Sequence, residues 1–287
     1  MPTVDEAPPV PPLRPDNLAC CDTGCIPCVF DVYEEHLDEY RDALRAWRDR
    51  HAEPGHEPSL KVLSTLAVMG AMPRLAALYA TAGGLAPSTD FAPTNALVAR
   101  ILKGELADVA ILTKEAVHRM MVDGLLLAGS HVDIAVSRIG MAVKAGAPKP
   151  DISTVDALRS TLLAARSIAY SRIGASGIFF AALIKRLGIE EEVNAKATIV
   201  PGGFTAQWAA DGKVELAVQQ LSELMMVPGV EIVAPLPDGA QSEGTFSGAL
   251  LTHSLRQEEG RCFLRFLASG AAHAPLRDWG LAPGGSP

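Results

Sequence analysis

From residue 60 onward, short apolar runs alternate with stretches in which apolar residues recur every three or four positions. The runs, rich in Val, Ile, Leu and Ala, read as strands buried on both faces, and the periodic stretches read as amphipathic helices. The pattern predicts strands at 60–64, 107–113, 138–144, 167–170, 198–200, 215–219, 230–234 and 247–252. It predicts helices at 71–80, 96–102, 115–123, 154–165, 178–187, 205–210 and 257–267. Such alternation indicates an α/β fold with buried, largely parallel sheets. The span 58–287 is long for one doubly wound sheet, so two lobes are expected.

Before residue 58 the pattern changes. Tyr33, Leu37, Tyr40, Leu44 and Trp47 recur at spacings of 4, 3, 4 and 3, a narrow apolar seam along one helix. Asp38 with Arg41, and Asp42 with Arg45, fall on its wet face as i,i+3 pairs, each worth about 0.2–0.5 kcal/mol. One helix cannot bury a seam against itself. Its cover is the preceding loop, the larger module, a partner protein or a second copy of the chain. That loop carries Cys20, Cys21, Cys25 and Cys28 within nine residues, after an extended proline-rich stretch. Four such thiolates are in reach of a tetrahedral zinc or an iron–sulfur cluster. Cys25 and Cys28 alone have the C-x2-C spacing of both metal knuckles and thiol redox pairs, and the adjacent Cys20 and Cys21 point different ways in an extended chain. Metal binding, redox chemistry and a plain group of buried thiols stay open. Cys262, inside a predicted helix, reads as a core residue. A hinge-like stretch from His51 to Pro58 divides the chain into a Cys-rich head at 8–52, a linker at 53–58 and a large module from 59.

Charge sharpens this division. The stretch before residue 58 holds 13 acidic and 5 basic residues, so the net charge of −8 belongs wholly to the head and the rest is balanced. With no Lys/Arg stripe, nucleic-acid binding is not expected, and the acidic head is repelled by anionic membrane surfaces. No run nears the ~18 apolar residues of a membrane span. The opening Pro2-Thr3-Val4-Asp5-Glu6-Ala7-Pro8-Pro9 is acidic and proline-rich. A secretory leader has a basic start and an apolar run of roughly 7–15 residues, so the cytoplasm, where thiols stay reduced, is the expected compartment.

In α/β folds the chemistry collects where strands end and helices begin, because helix N-termini offer unpaired N–H groups and a positive dipole end. Ser64-Thr65, Pro93-Thr94-Asn95-Ala96, Gly174-Ala175-Ser176-Gly177-Ile178 and Pro201-Gly202-Gly203-Phe204-Thr205 are such junctions. The polar pair Gln219-Gln220 ends an otherwise apolar strand. Singly, small and hydroxyl residues at helix starts are ordinary caps. Five together at one edge of one fold read as a site.

Four stretches carry a family resemblance: Leu60-Lys61-Val62-Leu63-Ser64, Phe91-Ala92-Pro93-Thr94-Asn95, the run from Gly104 to Leu112, and Gly174-Ala175-Ser176-Gly177-Ile178. They resemble the molybdate-type periplasmic solute-binding proteins, over residues 60–280. The resemblance implies a bilobed type II periplasmic-binding-protein fold, two doubly wound α/β lobes joined by two crossover strands with ligand in the cleft. Lobe 1 is then expected at about 59–136 and 235–280 and lobe 2 at about 137–234, with crossovers at 135–144 and near 218–232. The head, with prolines before C-C-x-x-G-C-x-x-C-V, resembles the small N-terminal oxidoreductase-like domain.

The same resemblance implies a small anionic ligand, a molybdate-like oxyanion or a di- or tricarboxylate. The family's first hydroxyl donor falls on Ala67, with Ser64 and Thr65 close by, and its second falls on Thr94, beside Asn95. Ala175, Ser176, Gly177, Gly203 and Phe204 offer backbone donors, and the family's tyrosine hydroxyl maps onto Gln220. Arg172 is either a forked partner for a carboxylate or a solvated surface residue. The leading expectation is a substrate-binding protein of an ABC-transporter family, acting here as a cytosolic binder or sensor. The alternative is an isomerase of a small unsaturated, aconitate-like carboxylate in the same cleft, which needs a positioned acid/base. Glu223, Tyr170 and His253 are the candidates, although a glutamate at such a place is ordinarily a surface residue.

Overall fold

The computed structural model describes residues 8–16, 19, 26–51 and 59–285. In the large module β1 (Leu60–Ser64) lies between β2 (Pro87–Phe91) and β3 (Val109–Thr113), parallel to both. Antiparallel to β3 runs β9 (Glu243–Leu250), which pairs in turn with β4 (Val132–Lys144). At 13 residues β4 is long enough to serve two sheets. Its first half meets β9 and the short β10 (Leu281–Pro283). From Ile139 on it meets β7 (Leu216–Gln220) and β8 (Val230–Pro235). Beyond β7 the second sheet continues, parallel, into β5 (Ile168–Ser171) and β6 (Ala197–Val200).

Both sheets are covered on two faces. Helices α2 (Met72–Thr81), α10 (Gln257–Leu267) and α11 (Gly270–Arg277) share a core with Leu60, Val62 and Ile111, while α3 (Thr94–Leu102) and α4 (Lys114–Val122) pack with Leu63, Ala110 and Leu112. On the second sheet α5 (Val155–Ala164), α6 (Ala175–Arg186) and α7 (Glu190–Asn194) lie on one side, and α8 (Ala206–Ala210) and α9 (Leu221–Leu224) on the other. Neither face of a central strand meets water, which is why those strands read as unbroken apolar runs. β2 escapes the apolar pattern because it is an edge strand, where a leading proline and alternating polar residues are tolerated. The single turns α7 and α9 are too short to show a period, and Pro275 interrupts the pattern of α11.

One crossing lies in β4, as expected. The other does not fall near 218–232. Those residues hold the end of β7, α9 and the start of β8, all set against the second half of β4, and the chain returns through 236–242 into β9.

Helix α1 (Val29–Arg50) answers the question of its seam. Tyr33, Leu37, Tyr40 and Leu44 are buried, with Leu106 and Leu255 of the large module packed against them. Arg41 Nη2 donates to the Thr252 carbonyl at 2.9 Å, and Arg14 donates to the Val122 carbonyl at 3.0 Å. The ion pairs Asp38–Arg41 and Asp42–Arg45 form on the outer face at 2.6 and 2.7 Å. Of the covers left open for this seam, the large module is the one the structure shows, through Leu106 and Leu255. This docking edge is the end of the sheet where β1 and β3 begin: Asp108 accepts there from the Lys61 N–H at 2.9 Å and the Ser254 hydroxyl at 2.8 Å.

Candidate functional site

At the opposite end of those strands, five junctions converge on a cavity of about 220 Å³. That is smaller than the ~300–1,000 Å³ of sites for drug-sized molecules, so it suits a small metabolite or ion. Where β1 ends, Thr65 begins a 3₁₀ turn (Leu66–Val68) and lines the cavity with Leu66. Across from it Pro93 is the N-cap of α3, and Thr94 and Asn95 of its first turn line the cavity. Thr94 Oγ1 is buried with no hydrogen-bond partner among the described residues.

The second sheet supplies the facing wall. After β5, Gly174 caps α6 without any side chain of its own, so the first N–H groups of the helix have no side-chain cap, and Ala175 and Ser176 line the cavity. Helix α6 can lie this close to the strand because residue 177 is glycine: a Cβ there would stand 1.7 Å from the Ser171 carbonyl oxygen. Gly202 and Gly203 form the next turn, Gly203 at φ +77°, a backbone that glycine adopts without strain. Gln219 and Gln220 close the circle at the end of β7, and Glu223 follows on α9. The Gln220 Oε1 is buried and unpartnered among the described residues. Across the mouth, Asn95 Nδ2 donates to the Ile173 carbonyl at 3.2 Å and ties the two walls together.

Several expected residues sit elsewhere. Ser64 is fully buried and turns its hydroxyl onto the Thr65 carbonyl at 3.2 Å, and Ala67 is core. Phe204 packs into the core beside α8, and the Gly177 N–H bonds back to Gly174. Arg172 is not a carboxylate clamp. It is exposed and folds back over the Tyr170 ring, donating to Asn194 Oδ1 at 3.1 Å and to the Tyr170 hydroxyl at 3.3 Å. Tyr170 is itself buried away from the cavity, its hydroxyl given to Asn194 at 2.6 Å. His253 lies at the far end of the strands, where its Nε2 accepts from the Ala107 N–H at 3.4 Å.

Cys20, Cys21 and Cys25 lie outside the described residues, and Cys28 is half-buried with a free thiol. Among the described residues no three His, Cys, Asp or Glu side chains are grouped as metal ligands. Cys262 is corrected from core to surface: it is exposed on α10, its Sγ 3.1 Å from Arg265 Nη2. Among the described residues no helix is long and apolar enough to cross a membrane.

Among the described residues, no Lys, Arg or His lines the cavity. Among the described lining residues, positive potential comes from helix ends and N–H groups, and the acids are Glu115, exposed at the start of α4, and Glu223. The ordinary surface place expected of Glu223 is wrong, for it is 8% exposed. Burial pushes its carboxyl from the usual 4.5 up to about 7, against the pull of hydrogen bonds donated by the Gln219 side chain and the Gln220 backbone.

This has a measurable consequence for stability. The folded state keeps the proton longer than the unfolded chain, so the contribution is full below pH 4.5 and is lost as pH rises through about 7. Urea unfolding from pH 4.5 to 8 is expected to show a loss of about 3 kcal/mol that Glu223→Gln lacks. Parallel slopes in the two proteins would contradict a buried, proton-holding Glu223.

Sequence positions 60–282, covering both sheets and every wall of the cavity, match the family of bacterial extracellular solute-binding proteins. The chain belongs to this family. The solute-binding module is 38% identical over 232 residues to an aconitate isomerase of a Pseudomonas species, covering 78% of this chain and 88% of that protein. In shape it is similar to the periplasmic molybdate-binding protein of Azotobacter vinelandii, with a TM-score of 0.66 at 17% identity over 78% of this chain and 99% of the other. That likeness establishes the type II periplasmic-binding-protein fold. The head, residues 7–49, matches the oxidoreductase-like N-terminal family. Over 46 residues it is 46% identical to a mitochondrial protein of Schizosaccharomyces pombe, 15% of this chain and 32% of that one.

Two kinds of wall residue had different visibility in the sequence. Thr113, which lines the cavity and caps α4 by accepting from the Ala116 N–H at 3.4 Å, is another strand-to-helix junction of the type already singled out. Phe246 comes from the returning strand β9, and nothing local marks it.

Proposed function

We propose that this solute-binding cleft isomerises aconitate, or a closely similar small unsaturated tricarboxylate, by moving one proton between two carbons of the ligand. The observation that carries the reading is Glu223, a buried carboxyl poised near neutrality in the wall of a cradle otherwise made of neutral donors. Holding an anion is already the work of the helix ends and neutral donors of the wall and does not call for a titrating carboxyl. An acid/base catalyst, by contrast, works best with its pKa near the ambient pH. The relative named aconitate isomerase, alike across the whole module, supports the same choice.

The chemistry balances without a co-reactant. The Glu223 carboxylate takes a proton from the CH2 group next to the double bond, and the electron pair left behind spreads over three carbons and into the adjoining carboxylate. Thr94, the Ala175 and Ser176 N–H groups and the ends of α3 and α6 face that growing charge, the place where fixed donors lower a barrier most. The same carboxyl then returns the proton to the far carbon, and the double bond has moved one place with the opposite geometry available. Among the described residues, no cysteine, histidine or lysine lines the cavity to add to the double bond instead.

Proton NMR of the full chain with trans-aconitate in D2O tests this. The expected result is appearance of the cis isomer, with deuterium gained at carbon to the extent that the Glu223 carboxyl exchanges its proton with solvent before returning it. Stabilisation of the protein by aconitate without any conversion would sink the isomerase and leave a binding protein.

A further inference from the structure

We propose that Trp279 is a positioning residue for Glu223: from the first sheet it holds down the single helical turn that carries this acid on the second. The kinetic half of the inference rests on the proposed isomerase; the packing does not. Helix α9 is only Leu221–Leu224, and its N-cap Gln220 makes no side-chain cap hydrogen bond. Isolated helices shorter than ~12–15 residues are marginal in water, so one turn stays where its neighbours put it. The crossing strand β4 is one neighbour: a Cβ on Gly140 would stand 2.3 Å from Leu221 Cδ2. Leu224 is buried in the core that holds Ala142 and Val227.

The first sheet supplies the rest. Its chain leaves α11 through Trp279 and Gly280 before β10 pairs with β4. At Gly280, φ +68°, a Cβ would meet Met225 Sδ at 3.1 Å and Leu221 Cβ at 3.6 Å. At Gly70, just past the 3₁₀ turn, a Cβ would lie 2.4 Å from the Trp279 ring and 2.9 Å from Met226 Sδ. Ring and sulfur therefore meet over Gly70, within the ~5 Å at which a thioether packs favourably on an aromatic ring. Trp279 is anchored on the core of the first sheet, and its neighbour Asp278 is ion-paired with Arg74 of α2. Glu223 thus sits between Leu221 and Met226, both held from outside the helix. Gly70, Met226 and Trp279 do not themselves line the cavity, so they act through α9 and not on the ligand.

The test combines steady-state kinetics on aconitate with hydrogen exchange read by mass spectrometry, both on the full chain. Trp279→Ala removes the ring, and Met226→Ala removes its partner on the other sheet with less risk to the fold. Each is expected to lower kcat by about 10–100-fold with KM little changed, since a shift of about 1 Å in a reacting group costs that much. The double variant is expected to lose no more than the worse single one, the mark of two groups acting through one contact. Trp279→Phe, which keeps a ring over Gly70, is expected to restore most of the rate. Without substrate, the amides of 221–226 are expected to exchange about ten times faster in both alanine variants, and those of α6 at the wild-type rate. Unchanged exchange in 221–226, or a kcat that holds while only the thermal midpoint falls, overturns the proposal. Faster exchange there, in a protein whose wild type does not convert aconitate, keeps Trp279 as the residue that seats Glu223 and removes the isomerase reading instead.

Discussion

Glu223→Gln is expected to lower conversion of aconitate by about 10²–10⁴-fold, the usual contribution of a positioned acid/base, while aconitate still raises the thermal midpoint. The substitution keeps size and hydrogen-bonding capacity and removes only the exchangeable carboxyl proton, so the cradle of Thr94, Ala175 and Ser176 is left standing. In the wild type, kcat/KM is expected to climb as pH rises through about 7, because the carboxylate is the form that takes the proton. The variant's residual rate has no such limb. Steady-state rates from pH 5.5 to 8.5 on both proteins decide the matter; equal rates would move the proton transfer to another group.

Gly177→Ala carries the largest structural penalty expected in the site. The new methyl would lie 1.7 Å from the Ser171 carbonyl oxygen and 2.4 Å from its carbon. Both are backbone atoms of a central strand, so no side chain can swing aside. Overpacking usually costs about 1–3 kcal/mol, and an immovable neighbour puts this case at about 3, a fall in melting temperature of roughly 6–12 °C for a module of this size. The cost falls on function too. To relieve the clash α6 has to lift off β5, and the Ala175 and Ser176 N–H groups go with it. Loss of ligand-induced stabilisation is therefore expected together with the lower melt, and an unchanged melt would show that the helix sits further from the strand.

The strand-to-helix junctions were legible because they are local. Thr65, Thr94, Asn95, Ala175, Ser176 and Gly203 stand at chain ends of elements whose apolar pattern announces them, and all of them line the cavity. Arg172, left open between cleft and surface, and Glu223, ordinarily a surface residue, were hard to place from the sequence for one shared reason. Each lies a few residues from a junction, and whether such a side chain turns in or out depends on what lies across the gap. Arg172 found the Tyr170 hydroxyl and Asn194 on its own lobe and stayed outside. Glu223 was enclosed by Gln219 and the second half of β4.

Two further outcomes separate what the chain states by itself from what folding adds. Hydrophobic periodicity determined most of the longer elements, the α/β class and the apolar seam of α1, since burial on one or both faces of an element is written into its own residues. The resemblance to solute-binding proteins was carried separately, by the four stretches at 60–64, 91–95, 104–112 and 174–178. Only the tertiary structure decided that the seam closes on Leu106 and Leu255 of the same chain, that the return crossing runs through 236–242, and that a glutamate three residues past Gln220 is buried in the cavity wall. Those outcomes depend on which distant surfaces meet, and the proton held by Glu223 follows from the water that such a meeting excludes.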